Sequence, residues 1–156
     1  MGAQRFATFI EVDAAVERDL PAFQLAHDLL ERAEQLGLEG EALVHVYEGL
    51  SLADDQPIAI FRSLFPAARF PDLLKALETS RSVTSALAQG GVADYTRAST
   101  RLTAVLADVT QALHLHLKEG DPLLRSTGVN VDAKGVPVEY GRTWFAGDRV
   151  TLTFEG

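Results

Sequence analysis

"HLKEGDPLLRSTGVNVDAKGVPVEYGRTWF", residues 116–145, follows the same pattern as "LGLEGEALVHVYEGLSLADDQPIAIFRSLF", residues 36–65, at an offset of 80 residues. Each stretch holds two apolar runs separated by a short polar tip, ADDQP in the first and DAKGVP in the second. Asp, Gly and Pro at such tips are typical of hairpin loops. The identical positions in the two stretches include Gly40/Gly120, Leu43/Leu123, Ala53/Ala133, Pro57/Pro137 and Phe65/Phe145. The sequence therefore predicts an internal repeat built on a β-hairpin.

Helical spacing before each hairpin extends the repeat unit. The apolar residues concerned are Leu25, Leu29 and Leu36 in the first copy, and Leu102, Leu106, Val109 and Leu113 in the second. Such spacing predicts an amphipathic helix in both places. After the second hairpin, alternation at Val150, Leu152 and Phe154 predicts one further strand.

The segment between the two copies carries its own signals. Leu73, Leu74 and Leu77 give a helical face after Pro66 and Pro71. "SVTSALAQGG" (82–91) predicts a short helix that begins at a Ser cap and ends at Gly-Gly, and "DYTRASTRLTA" (94–104) predicts a strand. The whole chain is therefore predicted to be α+β, with about six mostly antiparallel strands and helices packed on one side of the sheet.

Composition narrows the class of protein. A chain of 156 residues is the size of one domain and buries about 70% of its unfolded surface. No apolar run is long enough to span a membrane and no signal peptide opens the chain, so no membrane partner is expected. With no cysteine, a cytoplasmic location is expected. The net charge of −8 makes DNA binding by this chain alone unexpected, because phosphate contacts need a basic face.

The motifs for common cofactors and catalytic centres are missing from the sequence. There is no G-x-S-x-G, P-loop or G-x-G-x-x-G pattern, so no cofactor is expected. His114 and His116 are two residues apart at a helix end and do not share a helix face, while His27 and His45 stand alone. Surface or helix-end histidines are expected, without a metal site.

Two arginines on the predicted strand suggest an anion site. Arg97 and Arg101 are four residues apart, so on a regular strand they emerge from one face about 13 Å apart, together with Ser99. A guanidinium matches the geometry of phosphate, phosphonate or carboxylate. A solvated outer face explains the same pattern, and so does an outward charge for Glu139 on its strand. Ser82 is expected to cap its helix and is also compatible with binding a ligand.

These stretches, in this order, resemble the effector-binding (UTRA) domain of the HutC subfamily of GntR-type bacterial transcription regulators. The resemblance runs from about Arg5 to Phe154, and the ending "GVPVEY…FAGDRV" (135–150) is its most specific part. "RFPDLL" (69–74), "SVTSALAQGGVADYTRASTR" (82–101) and "NVDAKGVPVEYGRTWFAGDRV" (130–150) are similar to the phosphonate-utilisation (PhnF-type) regulators of that family.

The resemblance implies a chorismate-lyase-like fold, a homodimer, and a pocket that senses a small anionic metabolite for a winged-helix DNA-binding domain. That winged helix would be the only part to contact DNA, and it is not present in this sequence. Residues 1–4 are expected to be linker or added residues, and residues 5–156 the effector-binding regulatory domain.

The site residues carry over only in part. Relatives that sense sugar phosphates have Arg-x-Arg where this chain has Gly49-Leu50-Ser51, an acidic residue at the position of Phe61, and a Tyr at that of Phe145. Ser82, Glu139 and Thr8 remain.

With that arginine pair missing, an amino-sugar phosphate is an unpromising effector. Arg97 and Arg101 are expected to supply the lost charge, with Ser99 as a further donor and Arg62 as a weaker candidate. The effector is expected to be a phosphonate, a phosphate ester or phosphate. The alternatives are a chorismate-lyase-like enzyme and a dimerisation module with a vestigial pocket.

Overall fold

The computed structural model describes residues 35–38, 43–80 and 82–156, together with the backbone of residues 4–14. Six strands form one antiparallel sheet: β1 Gln4–Ala14, β2 Val44–Ala53, β3 Gln56–Pro66, β4 Tyr95–Leu106, β5 Pro122–Asp132 and β6 Pro137–Ala146. The described part of the chain also contains three helices: α1 Leu73–Ser80, α2 Val83–Gln89 and α3 Val109–Leu115. The predicted α+β class and strand number are confirmed.

The strand order, β1-β2-β3-β6-β5-β4, makes the sheet nearly symmetric. The two hairpins of the repeat, β2–β3 and β5–β6, join through β3 and β6 at the centre. There Arg62 pairs directly with Arg142, and these two residues are also equivalent under the 80-residue repeat. An approximate two-fold axis therefore passes between them.

Helices cover both faces of the sheet, so the prediction of helices on one side only is wrong. On the first face, called the α1/α2 face, Tyr47, Phe65 and Val138 pack against residues of the two helices and their flanks, namely Phe70, Leu73, Leu77, Ala86, Leu87 and Val92. On the other, called the α3 face, Leu50 and Leu123 pack against residues in and beside α3, namely Ala107, Ala112 and Leu115. Because the central strands carry apolar residues at both odd and even positions, both faces must be covered.

The predicted ends of α2 and the predicted C-terminal end of α3 are confirmed, whereas the cap at the start of α3 was not predicted. Ser82 Oγ accepts from Ser85 N at 3.2 Å, and Asp108 forms a capping box with Gln111 at the start of α3. His114 lies in the last turn of α3, and His116 follows it with φ 53°. No helix in the described ranges is long and apolar enough to cross a membrane.

His45 is a correction, because it is neither at the surface nor at a helix end. It lies in β2, is buried, and its Nε2 is 2.8 Å from the carbonyl oxygen of Phe70. That contact ties the sheet to the segment leading into α1. His27 lies outside the described residues.

The helix expected across residues 102–113 is shorter than its apolar spacing suggested. Leu102 and Leu106 lie in β4, and only residues from Val109 onward are helical. A spacing of four residues fits one face of a strand as well as one face of a helix, and the Asp108 cap sets where α3 begins. In the first copy, Leu25 and Leu29 fall outside the described residues, whereas Leu36 is buried.

The strand predicted at residues 150–154 is not formed. The chain turns after β6, where Arg149 N donates to Ala146 O, and it then runs without strand pairing. Both neighbours of β6 are already in place, β3 on one side and β5 on the other, so an alternating sequence here finds no free edge beside it. The Arg149 side chain instead donates to the carbonyl oxygens of Pro57, Leu115 and His116.

Asp132 holds the tip of the β5–β6 hairpin. Its Oδ1 accepts from the backbone N–H groups of Lys134 and Val136, and its Oδ2 accepts from Arg69 at 2.7 Å. The hydrogen bond from Arg69 and the backbone donors lower the pKa of Asp132 below its ordinary value of 3.8. The ionised carboxylate therefore stabilises the fold above that value, and this contribution is lost as the pH falls through the lowered pKa.

We expect Asp132→Asn to lower the melting temperature at neutral pH, because Asn keeps an oxygen for the turn but loses the charge that binds Arg69. Thermal unfolding of both proteins from pH 7 to pH 2 checks this. The difference should shrink as the wild-type carboxyl becomes protonated. A difference that stays constant down to pH 2 contradicts the assignment.

Candidate functional site

A β-bulge in β4 separates the two candidate arginines. Arg97 pairs with Asn130, whereas Ser99 pairs with Val129, so Ala98 is an extra residue on this strand. One extra residue inverts the alternation of side chains beyond it. Arg97 therefore lies on the α1/α2 face, while Ser99 and Arg101 lie on the α3 face. The prediction that these three residues share one face is wrong.

The α1/α2 face brings together the positions at which the resemblance placed a ligand. Gly49 pairs with Phe61 on β3, and on its other side with Thr8, whose backbone alone is described. Ser51 and Phe145 are both paired with Ala59, in the next row of the sheet. Glu139 and Phe145 are both on β6, an even number of residues apart, so their side chains lie on the same face of the sheet.

Glu139 is buried, so the interpretation of an outward, solvated charge is wrong for this residue. Ser63 Oγ donates to Oε1 and Asn130 Nδ2 donates to Oε2, each at 2.7 Å. Val138 is an extra residue opposite the Asn130–Val131 step and is fully buried, and Glu139 follows it directly opposite Asn130. The two neutral donors hold the carboxylate in one orientation.

The charge of Glu139 has no cationic partner among the described residues. Burying an ionised carboxylate is costly, and two neutral hydrogen bonds offset that cost only in part. A buried carboxylate without a counter-ion is suited to bind an ammonium group or hydroxyl donors of a ligand.

Arg97 lies on the same face of the sheet as this carboxylate, in the same row, because Asn130 pairs with both residues. Its side chain crosses Gly128, where an added Cβ would overlap Nη1 and lie 2.6 Å from Cζ. Gly128 pairs with Gly141, whose Cβ position is 3.7 Å from both Glu139 Oε1 and Ser63 Oγ. The guanidinium therefore covers Gly128 and the carboxylate lies next to its partner Gly141, an arrangement that suits a ligand with an anionic end and a donor end.

Ser82 stands at the start of α2, which packs on the same face. Its Oγ accepts from Ser85 N, so its hydroxyl hydrogen is available for a further acceptor. Thr84 Oγ1 and Tyr95 O–H, 2.8 Å apart, tie α2 to β4 close to Arg97.

Ser63, Gly128, Asn130 and Gly141 were not predicted as site residues. Glycines inside strands were a usable signal, because they mark a close approach of another group to the backbone. Ser63 and Asn130 gave no signal, since only the register of β3, β5 and β6 brings them to Glu139.

Two of the remaining candidates, Arg62 and Arg101, lie on the α3 face in one row across the sheet. The row consists of Glu48, Arg62, Arg142, Thr127 and Arg101, each directly paired with the next. Arg62 forms an ion pair with Glu48, and Arg142 donates to Thr127. Arg62 and Arg101 are therefore separated by the sheet from Glu139.

Within the described ranges, no three histidine or acidic side chains come together as metal ligands.

We expect Gly128→Ala to displace the Arg97 guanidinium without unfolding the protein, because the atoms that must move are the end of a flexible side chain. The cost in stability should stay within about 1 kcal/mol. The NMR signal of the Arg97 Nε–H group should shift, with Gly141→Ala as a control that meets nothing closer than 3.7 Å. An unchanged Arg97 signal in Gly128→Ala contradicts the placement.

Comparison with known proteins agrees with this architecture. The family model of the UTRA domain matches residues 29–151. An uncharacterised HTH-type transcriptional regulator of Rhizobium meliloti is 39% identical over 106 residues, which is 68% of this chain and 43% of the relative. The HTH-type transcriptional repressor PhnF of Mycolicibacterium smegmatis is 26% identical over 118 residues, 76% of this chain and 48% of the relative. The chain thus spans less than half the length of these two curated relatives.

Solved structures show the same fold. The effector domain of PhnF from Mycobacterium smegmatis superposes with a TM-score of 0.80 at 22% identity, covering 97% of this chain and 85% of that one. A GntR-family transcriptional regulator from Enterococcus faecalis gives a TM-score of 0.72 at 24% identity, covering 99% and 100%. With the matched family model spanning most of the chain, the protein belongs to the UTRA domain family of ligand-binding regulatory domains found in GntR-type transcriptional regulators.

Proposed function

We propose that this domain senses a small anionic metabolite, a phosphonate, phosphate ester or phosphate, for a HutC-type transcription factor. The observation that carries the proposal is that Arg97, lying over Gly128, and Glu139, next to the paired Gly141, are on the same face of the sheet. Arg97 binds the anionic group, Ser82 donates to it, and Glu139 accepts from an amine or hydroxyl of the ligand. Phe145 and the Thr8 position form the far end of the site.

Two observations support this choice of ligand. Gly49 and Ser51 stand where those relatives have arginines, so the positive charge has to come from Arg97 on the other side of the same face. PhnF is among the proteins similar to this chain, in agreement with the resemblance to the phosphonate-utilisation regulators and with a phosphonate as the ligand. DNA would be contacted only by a winged-helix domain preceding this one in the full regulator.

The ligand changes DNA binding only if it has different affinities for two arrangements of the regulator. A ligand that binds both arrangements equally shifts nothing, however tightly it binds. The helix α2 packs on the same face and is tied to β4 by the Thr84–Tyr95 contact, so a ligand held by Arg97 and Ser82 would tighten α2 against β4.

The effector site is tested by thermal shift with phosphate, short alkylphosphonates, aminoethylphosphonate, sugar phosphates and chorismate. A ligand at 100 times its Kd stabilises the fold by about 2.7 kcal/mol. We expect a shift with phosphonates and none with sugar phosphates. No shift with any of them favours a dimerisation module with a vestigial pocket, and turnover of chorismate to 4-hydroxybenzoate favours a lyase.

Variants then locate the site. We expect Arg97→Met to weaken binding about tenfold or more, the loss of one charge-assisted hydrogen bond. Glu139→Gln removes the charge while keeping an acceptor for Asn130 and a donor for Ser63, so it should weaken amine-bearing ligands without unfolding the domain. Arg101→Met, on the α3 face, is the matched control and should bind normally. Equal losses in Arg97→Met and Arg101→Met contradict the site.

We also propose that the domain forms a homodimer through β4. This strand is an edge of the sheet, contains no proline, and its outer backbone groups pair with no strand of the described part. A second copy that pairs antiparallel with β4 about a two-fold axis would satisfy those groups. Exposed apolar side chains lie on this strand and on the helix that follows it: Leu102 (40% exposed) and Leu106 (70%) on β4, and Val109 (64%) and Leu113 (73%) on α3.

We expect Leu106→Glu combined with Leu113→Glu to give a monomer, because the two charges would be buried in the interface. Light scattering after size exclusion measures the mass. Val136→Glu, at an exposed position on the β5–β6 tip, is the control and should remain dimeric. A double variant that stays dimeric places the interface elsewhere.

A further inference from the structure

A second cleft lies on the α3 face, on the opposite side of the sheet from Glu139. It has a volume of about 400 Å³ and opens between α3 and strands β2, β3 and β6. Its walls include Glu48, Arg62, Leu50, Ile60 and Trp144. Nothing in the proposed effector site uses these side chains.

Two opposite charges stand side by side at this cleft. Arg62 and Glu48 are directly paired on β3 and β2, and Arg62 Nε donates to Glu48 Oε1. Their side chains remain 24% and 26% exposed. In the described part of the chain, the two terminal Nη groups of Arg62 and the Oε2 of Glu48 make no further hydrogen bond or ion pair. One forked donor and one carboxylate oxygen are therefore left for a ligand.

The other charged groups around the cleft do not change this pairing. The Asp108 carboxylate, also in the lining, accepts from Gln111 N in the cap of α3. His114 lines the same wall. Arg142, directly opposite Arg62, lies with its Cζ 6.0 Å from the centre of the Trp144 ring, and it donates to Thr127 and Tyr140.

This arrangement disfavours ligands with a single charge. A simple anion at Arg62 would lie against the Glu48 carboxylate, and a simple cation at Glu48 would lie against the guanidinium. A molecule with both charges a few atoms apart meets an opposite charge at each end. Leu50, Ile60 and the Trp144 ring then offer apolar contact for the short chain between its charges.

We propose that this cleft binds a small zwitterion. A carboxylate or phosphonate would lie on the Nη groups of Arg62, and an ammonium group on Oε2 of Glu48. The site is distinct from the proposed effector site and does not depend on it. It would let the domain respond to a second metabolite through α3, the helix that forms the other wall of the cleft and carries the exposed Val109 and Leu113.

Trp144 gives a direct test, because it is the one tryptophan of the sequence and lines this cleft. We expect β-alanine and 2-aminoethylphosphonate each to change the Trp144 fluorescence saturably. Comparing their affinities shows whether the site prefers a carboxylate or a phosphonate. Propionate and ethylamine, each with half of the charge pair, should bind at least about tenfold more weakly.

Four variants assign the response. Arg62→Met and Glu48→Gln should each weaken it about tenfold or more, and Glu48→Gln keeps an acceptor for Arg62, so it preserves the fold if Arg62→Met does not. Arg125→Gln is the control, since Arg125 pairs with Trp144 but does not line the cleft. Glu139→Gln, on the other face, should respond as wild type, so loss of the effector site leaves this result intact.

The proposal is overturned if neither zwitterion gives a saturable change up to about 10 mM, well beyond the millimolar affinity of a weak site. Unchanged responses in both Arg62→Met and Glu48→Gln, or equal responses to propionate and β-alanine, overturn it as well. A response lost in Glu139→Gln but kept in Glu48→Gln assigns the ligand to the other face and also overturns it.

Discussion

The antiparallel pairing of β3 with β6 is the constraint on which the rest of the structure depends. Each hairpin by itself is a pair of strands with two uncovered faces, and an isolated hairpin is at best marginally stable. Pairing β3 with β6 joins them into one sheet whose approximate two-fold axis passes between Arg62 and Arg142. The sheet then has two faces that need cover, which α1 and α2 provide on one side and α3 on the other.

Two β-bulges decide which polar groups meet on those faces. Ala98 sends Arg97 to the α1/α2 face and Arg101 to the α3 face, and Val138 adds one residue to β6 just before Glu139. The outcome is a separate set of charges on each side of the sheet. Glu139 and Arg97 flank the paired glycines on one side, and Glu48 and Arg62 form an ion pair on the other. A ligand on one face therefore meets none of the charges on the other.

The predictable features are those set by neighbours in the chain. The hairpin tips, the Ser82 cap and the length of α2 follow from local hydrogen bonding and turn preference, and all of them agree with the structure. Residues 102–106 and 150–154 show the limit of such signals. A spacing of four suits a strand and a helix alike, and alternation makes a strand only where a partner edge is free. His45 was misjudged for a similar reason, since its burial depends on the distant Phe70 carbonyl.

The sequence by itself determined the α+β class, the repeated hairpin and the family resemblance, because these rest on short-range periodicity and on residue order. Only the tertiary structure decided that Glu139 is buried against Ser63 and Asn130, and that Arg97 lies over Gly128 while Arg101 does not share its face. The physical reason is register. A single extra residue in a strand reverses every side chain beyond it, and that shift follows from pairing with residues far away in the chain.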